Sequence, residues 1–153
     1  MTRYFEDFAI GEVIECGSRT VSAEEIRSFA EQFDPQPFHL DEAAARRGMF
    51  GGIVASGWHS VCICMRLAVD AVFNHSSNMG SPGVDKVRFL RPLFPGDTVA
   101  ARLQVVDSAP SRSKPDRGRL TFRFELTNQK GDTIMDFEGM TILGRRPSSA
   151  AGG

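Results

Sequence analysis

Val61 to Phe73 is a run of thirteen residues in which only Arg66 and Asp70 are charged. The two stand four apart, so on a helix they share one narrow face. A helix that is apolar on nearly every other face has to be covered nearly all round. The run is too short to cross a bilayer, which takes ~20 residues. The remainder of the chain must therefore wrap it.

The wrapper follows in the sequence. Val84–Leu90 reads as a strand, and Arg91–Asp97, with Pro92, Pro95 and Gly96, as a turn. Val99, Ala101, Leu103 and Val105 alternate with Ala100, Arg102, Gln104 and Val106 in a second strand. Residues 107–118 read as a loop. Leu120, Phe122, Phe124 and Leu126 alternate with Thr121, Arg123, Glu125 and Thr127, the clearest period-2 pattern in the chain. Thr133–Leu143 reads as a last strand. Consecutive strands on short connections predict an antiparallel meander. The expected fold is α+β, one antiparallel sheet curled around one long apolar helix. An open sheet leaves an edge strand, which favours pairing of two copies.

Before the central helix, Val13–Val21 reads as a strand. Ser22 and Glu25 form a capping box, and Ile26, Phe29, Ala30 and Phe33 give an amphipathic stripe. The stripe stops at Asp34-Pro35-Gln36-Pro37-Phe38-His39. Two prolines predict a stiff, non-helical loop with a carboxylate and an imidazole at its ends. Such a pair can share a water molecule as general acid and base, or be merely the polar ends of a Pro-rich turn. Asp41 can cap a second short helix ending at Gly48 as its C′ residue. Ala55-Ser56-Gly57 leads into the central helix. The Gly57 N–H at a helix start is a free donor at the positive dipole end, although Gly57 can also serve packing alone. His59, on the first helical turn, is expected to pack or face solvent.

At 153 residues the chain fits one domain, expected over 1–144, with a disordered tail over 145–153. A formal charge of −1 gives no reason to expect nucleic acid or an anionic membrane as partner. Cys16, Cys62 and Cys64 form no C-x-x-C, so neither a disulfide framework nor a metal site is expected, and Cys62 and Cys64 read as small buried hydrophobes. The N-terminus lacks the apolar core of a signal peptide, and no membrane span is present, so a cytoplasmic location is expected.

The string Asp34 to His39 resembles the signature of the MaoC-like, (R)-specific enoyl-CoA hydratase family, roughly G-D-x-N-P-apolar-H. The resemblance extends over about residues 5–143 and includes Ala55-Ser56-Gly57 and Phe89-Leu90-Arg91-Pro92 running to Pro95-Gly96-Asp97. Phe33 stands in place of the family's Gly, and Gln36 in place of its Asn. The resemblance implies a hot-dog fold, pairing as a homodimer or dimer of dimers, and reversible hydration of trans-2-enoyl-CoA to (R)-3-hydroxyacyl-CoA. It implies Asp34 and His39 as catalytic residues and Gly57 as oxyanion donor. Gln36, Pro37, Phe38, Ser56 and Trp58 are then substrate-binding. No cofactor is implied beyond the coenzyme A carried by the substrate.

Two other readings stay open. A hot-dog acyl-CoA thioesterase would use the same helix N-terminus with one carboxylate, but has no need of His39. A non-catalytic acyl-thioester-binding module would bind without turnover. Arg112, Lys114, Arg117 and Arg119 could meet coenzyme A phosphates or form a solvated hairpin.

Overall fold

The computed structural model describes residues 1–148. Among them, six strands form one antiparallel sheet: β1 (Val13–Thr20), β2 (Asn78–Gly80), β3 (Val84–Phe89), β4 (Thr98–Pro110), β5 (Arg117–Thr127) and β6 (Thr133–Gly144). Four α-helices accompany it: α1 (Ala23–Phe33), α2 (Pro37–Leu40), α3 (Glu42–Arg47) and α4 (Gly57–Ala71). The sheet order is β1-β4-β5-β6, with β2 and β3 both on the far side of β6.

α4 is the apolar helix, and it packs against β1, β4, β5 and β6. Ile63, Cys64 and Ala68 are buried against Leu103, Val105, Phe122, Phe124 and Phe137. The alternation in β5 puts Phe122 and Phe124 on this inner face. Phe122 meets Phe8 and Phe73 edge-on, and Phe124 stacks on Phe137 with centroids 4.4 Å apart. Each such buried ring contributes about 1.5–3 kcal/mol. The wrapping is not complete: Trp58, Cys62, Arg66 and Asp70, spaced by four, form an exposed stripe, with Arg66 paired to Asp70 at 2.8 Å. Cys62 is therefore on the surface, not buried as expected, whereas Cys16 and Cys64 are buried. Burial pushes the Cys16 thiol up to about 11 and the Cys64 thiol to about 12, so neither is a ready nucleophile.

Several sequence expectations need correction. The meander holds for β4-β5-β6 only. β3 pairs with β6, so residues 90–97 cross from one side of the sheet to the other instead of forming a hairpin turn. Leu93, fully buried, anchors that crossing, and its carbonyl accepts the Ala55 N–H at 2.9 Å. The 107–118 loop shrinks to residues 111–116, because Asp107–Pro110 pairs with Gly118–Thr121. The loop after α4 contains a 3-10 turn, Phe73–His75, and the short β2. β1 carries a bulge between Glu15 and Ser18, where Gly17 takes φ +83°, a left-handed angle that L side chains disfavour. Gly48 ends α3 with extended backbone (φ −85°), not in the left-handed form expected of a C′ glycine.

The tail is also tied down further than expected. Arg145 pairs with Glu6 at 3.2 Å, and Arg146 pairs with Asp7 at 2.5 Å. Residues 149–153 of the expected disordered tail lie outside the described residues. No helix among the described residues is long and apolar enough to cross a membrane.

Candidate active site

α1 begins at the expected capping box: the Glu25 N–H donates to Ser22 Oγ and the Ser22 N–H to Glu25 Oε2, both at 3.1 Å. It ends at Asp34, whose N–H still reaches the Ala30 carbonyl at 2.9 Å. Pro35 cannot continue the helix. The expectation of a wholly non-helical loop fails two residues later. Pro37 opens a single turn, α2, closed by the Asp41 N–H on the Pro37 carbonyl at 2.7 Å. Proline suits the first helical position, where its missing N–H has no partner to lose. That turn swings His39 inward, under the end of α1. Asp41 then caps α3 by accepting the Ala44 N–H.

The result is a close pair. His39 Nε2 lies 3.2 Å from Asp34 Oδ2. The imidazole is buried, and its Nδ1 lies 2.6 Å from the Val54 carbonyl oxygen. A carbonyl can only accept, so Nδ1 carries hydrogen and the working nitrogen is Nε2. Asp34 Oδ1 accepts from Gln36 Nε2 at 2.5 Å. Burial of the Asp34 carboxyl pushes its pKa up, but the Gln36 hydrogen bond first, then the nearby Ser56 hydroxyl and the His39 imidazole, outweigh this and leave it below the ordinary value.

Asp34 and His39 open on a cavity of about 450 Å³, with Gly57 at the head of α4 on its wall. Phe38, Leu90, Leu93, Ile134 and Met135 give it an apolar lining, and Arg91 adds the one Arg or Lys of that wall. The Gly57 N–H, in the first turn of α4, has no backbone acceptor among the described residues. A Cβ built on Gly57 would stand 2.7 Å from ring carbons of Phe89. Gly57 is thus needed for packing under Phe89 as well as offering a donor.

Asp34, Gln36, Phe38, His39, Gly57 and Trp58 all reach this one cavity. Pro37 and Ser56 do not line it. Pro37 starts the helical turn, and Ser56 is fully buried, near enough to lower the Asp34 pKa yet with an Oγ that closes no hydrogen bond to a protein atom. Gln36 is held by Asp34 within the loop. His59 is buried and stacks on Phe29, centroids 4.6 Å apart, away from the cavity. Arg112, Arg117 and Arg119 stand together on the β4–β5 hairpin, away from this cavity. Sequence reasoning missed the Val54 carbonyl, the group that orients His39; any residue supplies a carbonyl, so no sequence signal marks it. No cluster of three or more His, Cys, Asp or Glu able to hold a metal ion occurs among the described residues.

A single antiparallel sheet wrapped around one central helix defines a hot-dog protein. A Mycobacterium tuberculosis protein described as having a double hotdog fold superposes with TM-score 0.81 over 96% of this chain and 46% of that chain, at 19% identity. The chain belongs to the MaoC like domain family, which matches residues 7–123. It is similar to the Bacillus subtilis (strain 168) protein YdeM, 33% identical over 142 residues, covering 92% of this chain and 98% of that protein. It is similar to a 3-hydroxybutyryl-CoA dehydratase of Methylorubrum extorquens, 28% identical over 94% of this chain and 85% of that protein. The crystal structure of a MaoC-like dehydratase from Rhodospirillum rubrum matches with TM-score 0.89 and 37% identity, over 95% of this chain and 99% of that chain.

Proposed function

We propose that the protein reversibly adds water to a trans-2-enoyl-CoA, giving an (R)-3-hydroxyacyl-CoA, and that it acts as a homodimer or a dimer of dimers. The observation that carries this is the 3.2 Å approach of His39 Nε2 to Asp34 Oδ2 with Nδ1 already committed to Val54. With Nε2 unprotonated, two acceptors face each other, and a group that donates to both relieves the conflict. A water molecule is such a group. Imidazole is intrinsically the more basic of the two, and the Asp34 carboxylate is held below its usual range, so His39 takes the proton.

Water oxygen bonds to C3 as one of its protons passes to Nε2. Charge moves through the thioester to its oxygen, where the Gly57 N–H donates to it. C2 then takes a proton from the pair, and the protein returns to its starting state. Both new atoms come from one side, so addition is syn. The apolar cavity wall suits an acyl chain. The outer edge of β3 and the half-exposed Trp58 and Phe89 beside the cavity support a second copy as cover.

The test follows ultraviolet absorbance of a short trans-2-enoyl-CoA and free thiol together. Hydration removes the absorbance without releasing thiol. Thiol release by the wild type would instead establish a thioesterase, and binding with neither change a silent module.

A further inference from the structure

Asp34 sits at the C-terminal end of α1, where a carboxylate on one free side chain ordinarily samples several rotamers. Gln36 holds it at two points. The Gln36 backbone N–H donates to the Asp34 carbonyl at 2.8 Å, and the side-chain Nε2 donates to Oδ1 at 2.5 Å. Gln36 is itself restrained, because it lies between Pro35 and Pro37 and takes the extended backbone (φ −92°, ψ 148°) that a following proline favours. With Oδ1 occupied, Oδ2 is the oxygen left facing His39.

We propose that Gln36 is a positioning residue of the acid–base pair: it clamps Asp34 at backbone and side chain and presents Oδ2 to His39. The proposal rests on the hydratase reading of the same site. It adds a second role to the expected contact of Gln36 with substrate, since Gln36 also reaches the cavity. The groups that face the carboxylate are His39 from α2, Gln36 from the loop and Ser56 from the head of α4; Arg91, from the β3–β4 connection, is the other charged residue on the same cavity. The acid limb of activity belongs to the coupled Asp34/His39 pair.

The experiment compares wild type, Gln36→Ala and Gln36→Glu by kcat/KM against pH, and by carbon-13 titration of the Asp34 carboxyl, which needs no turnover. Circular dichroism checks folding. Removing the donor raises the Asp34 pKa, so the acid limb moves to higher pH in Gln36→Ala. Gln36→Glu keeps the size but sets a like charge beside Asp34, and moves the limb further. The plateau kcat falls by up to about 100-fold, as for a misplaced catalytic group, with KM little changed. An unmoved carboxyl titration in Gln36→Ala, a Gln36→Glu protein that behaves as wild type, or a loss confined to KM overturns the proposal. A wild type with no turnover defeats the hydratase reading alone, and the carboxyl titration then still decides the role of Gln36.

Discussion

Gly57→Ala separates the two roles of the glycine at the head of α4. The added methyl would stand 2.7 Å from Phe89, so the ring must move. The contact is with the far end of that ring, and Phe89 is 51% exposed, so it can swing outward. Full burial of a Phe side chain contributes ~1.5–3 kcal/mol, so loss of the remaining half costs about 1 kcal/mol. Replacing Gly by Ala in a helix returns up to ~1 kcal/mol. Stability should therefore change little, with a shift of only a few degrees in the melting temperature. Activity should not survive as well. The methyl projects beside the cavity, next to the N–H that an incoming thioester oxygen would meet, and crowds that approach. Ala keeps the N–H, so the cost reaches at most that of losing the donor outright, about 10²–10³ in rate, or ~2.7–4 kcal/mol of barrier. The assay is kcat/KM on an enoyl-CoA beside a thermal melt. The double variant Gly57→Ala/Phe89→Ala removes the clash. Full activity in the double variant would assign the loss to the ring's displacement. Activity within threefold of wild type in the single variant, with an unchanged melt, would refute the requirement for a bare glycine beside the oxyanion.

Asp34→Asn and His39→Gln should each lower kcat by about 10²–10⁴, the usual weight of a general acid or base, with Asp34→Asn leaving the melt nearly unchanged because the side chain is close to the surface. Phe122→Ala removes a ring with no exposure that touches Phe8, Phe73 and Phe124; it should cost about 3–5 kcal/mol, seen as a fall of ~6–20 °C in a thermal melt. On the outer face of the sheet, hydrogen bonds from Arg88 first and Arg123 next hold the Asp136 carboxyl below its usual range, against the opposing pull of burial. Its folded pKa is depressed, so its contribution is present above the unfolded value of ~3.9 and is lost as pH falls through the lower folded value. Urea unfolding of Asp136→Asn should show a deficit against wild type at pH 6 that shrinks as the pH drops below 3.

How much of this was readable from sequence depended on whether one side chain could carry the signal. β5 was legible because Leu120, Phe122, Phe124 and Leu126 alternate strictly with polar residues, and α1 because Ser22, Glu25 and the apolar stripe agree. The ends of β4 and β5 were not. Asp107, Ser108, Pro110 and Arg117 are turn-prone residues, yet the first three lie in the β4–β5 pairing and Arg117 pairs with Gly144 of β6, so sheet context overrides their local preference. The place of β3 beside β6 depends on which sheet edge is left free, and no local pattern records that. At the site, Asp34, His39 and Gly57 could be picked out because their chemistry lies in side chains or in a missing one. The one-turn α2 was misread because proline signals a stop in a helix interior but a start at its first position. Ser56 looked like a cavity residue, yet it is buried behind the carboxylate.

In the proposed reaction one water, held between Asp34 and His39, supplies both the hydroxyl and the new hydrogen. The stereochemical course of hydration in deuterium oxide decides this. Deuterium is expected at C2 on the same face as the C3 hydroxyl, with the (R) configuration at C3. Deuterium on the opposite face would mean that hydroxyl and proton come from separate sources, and would contradict it.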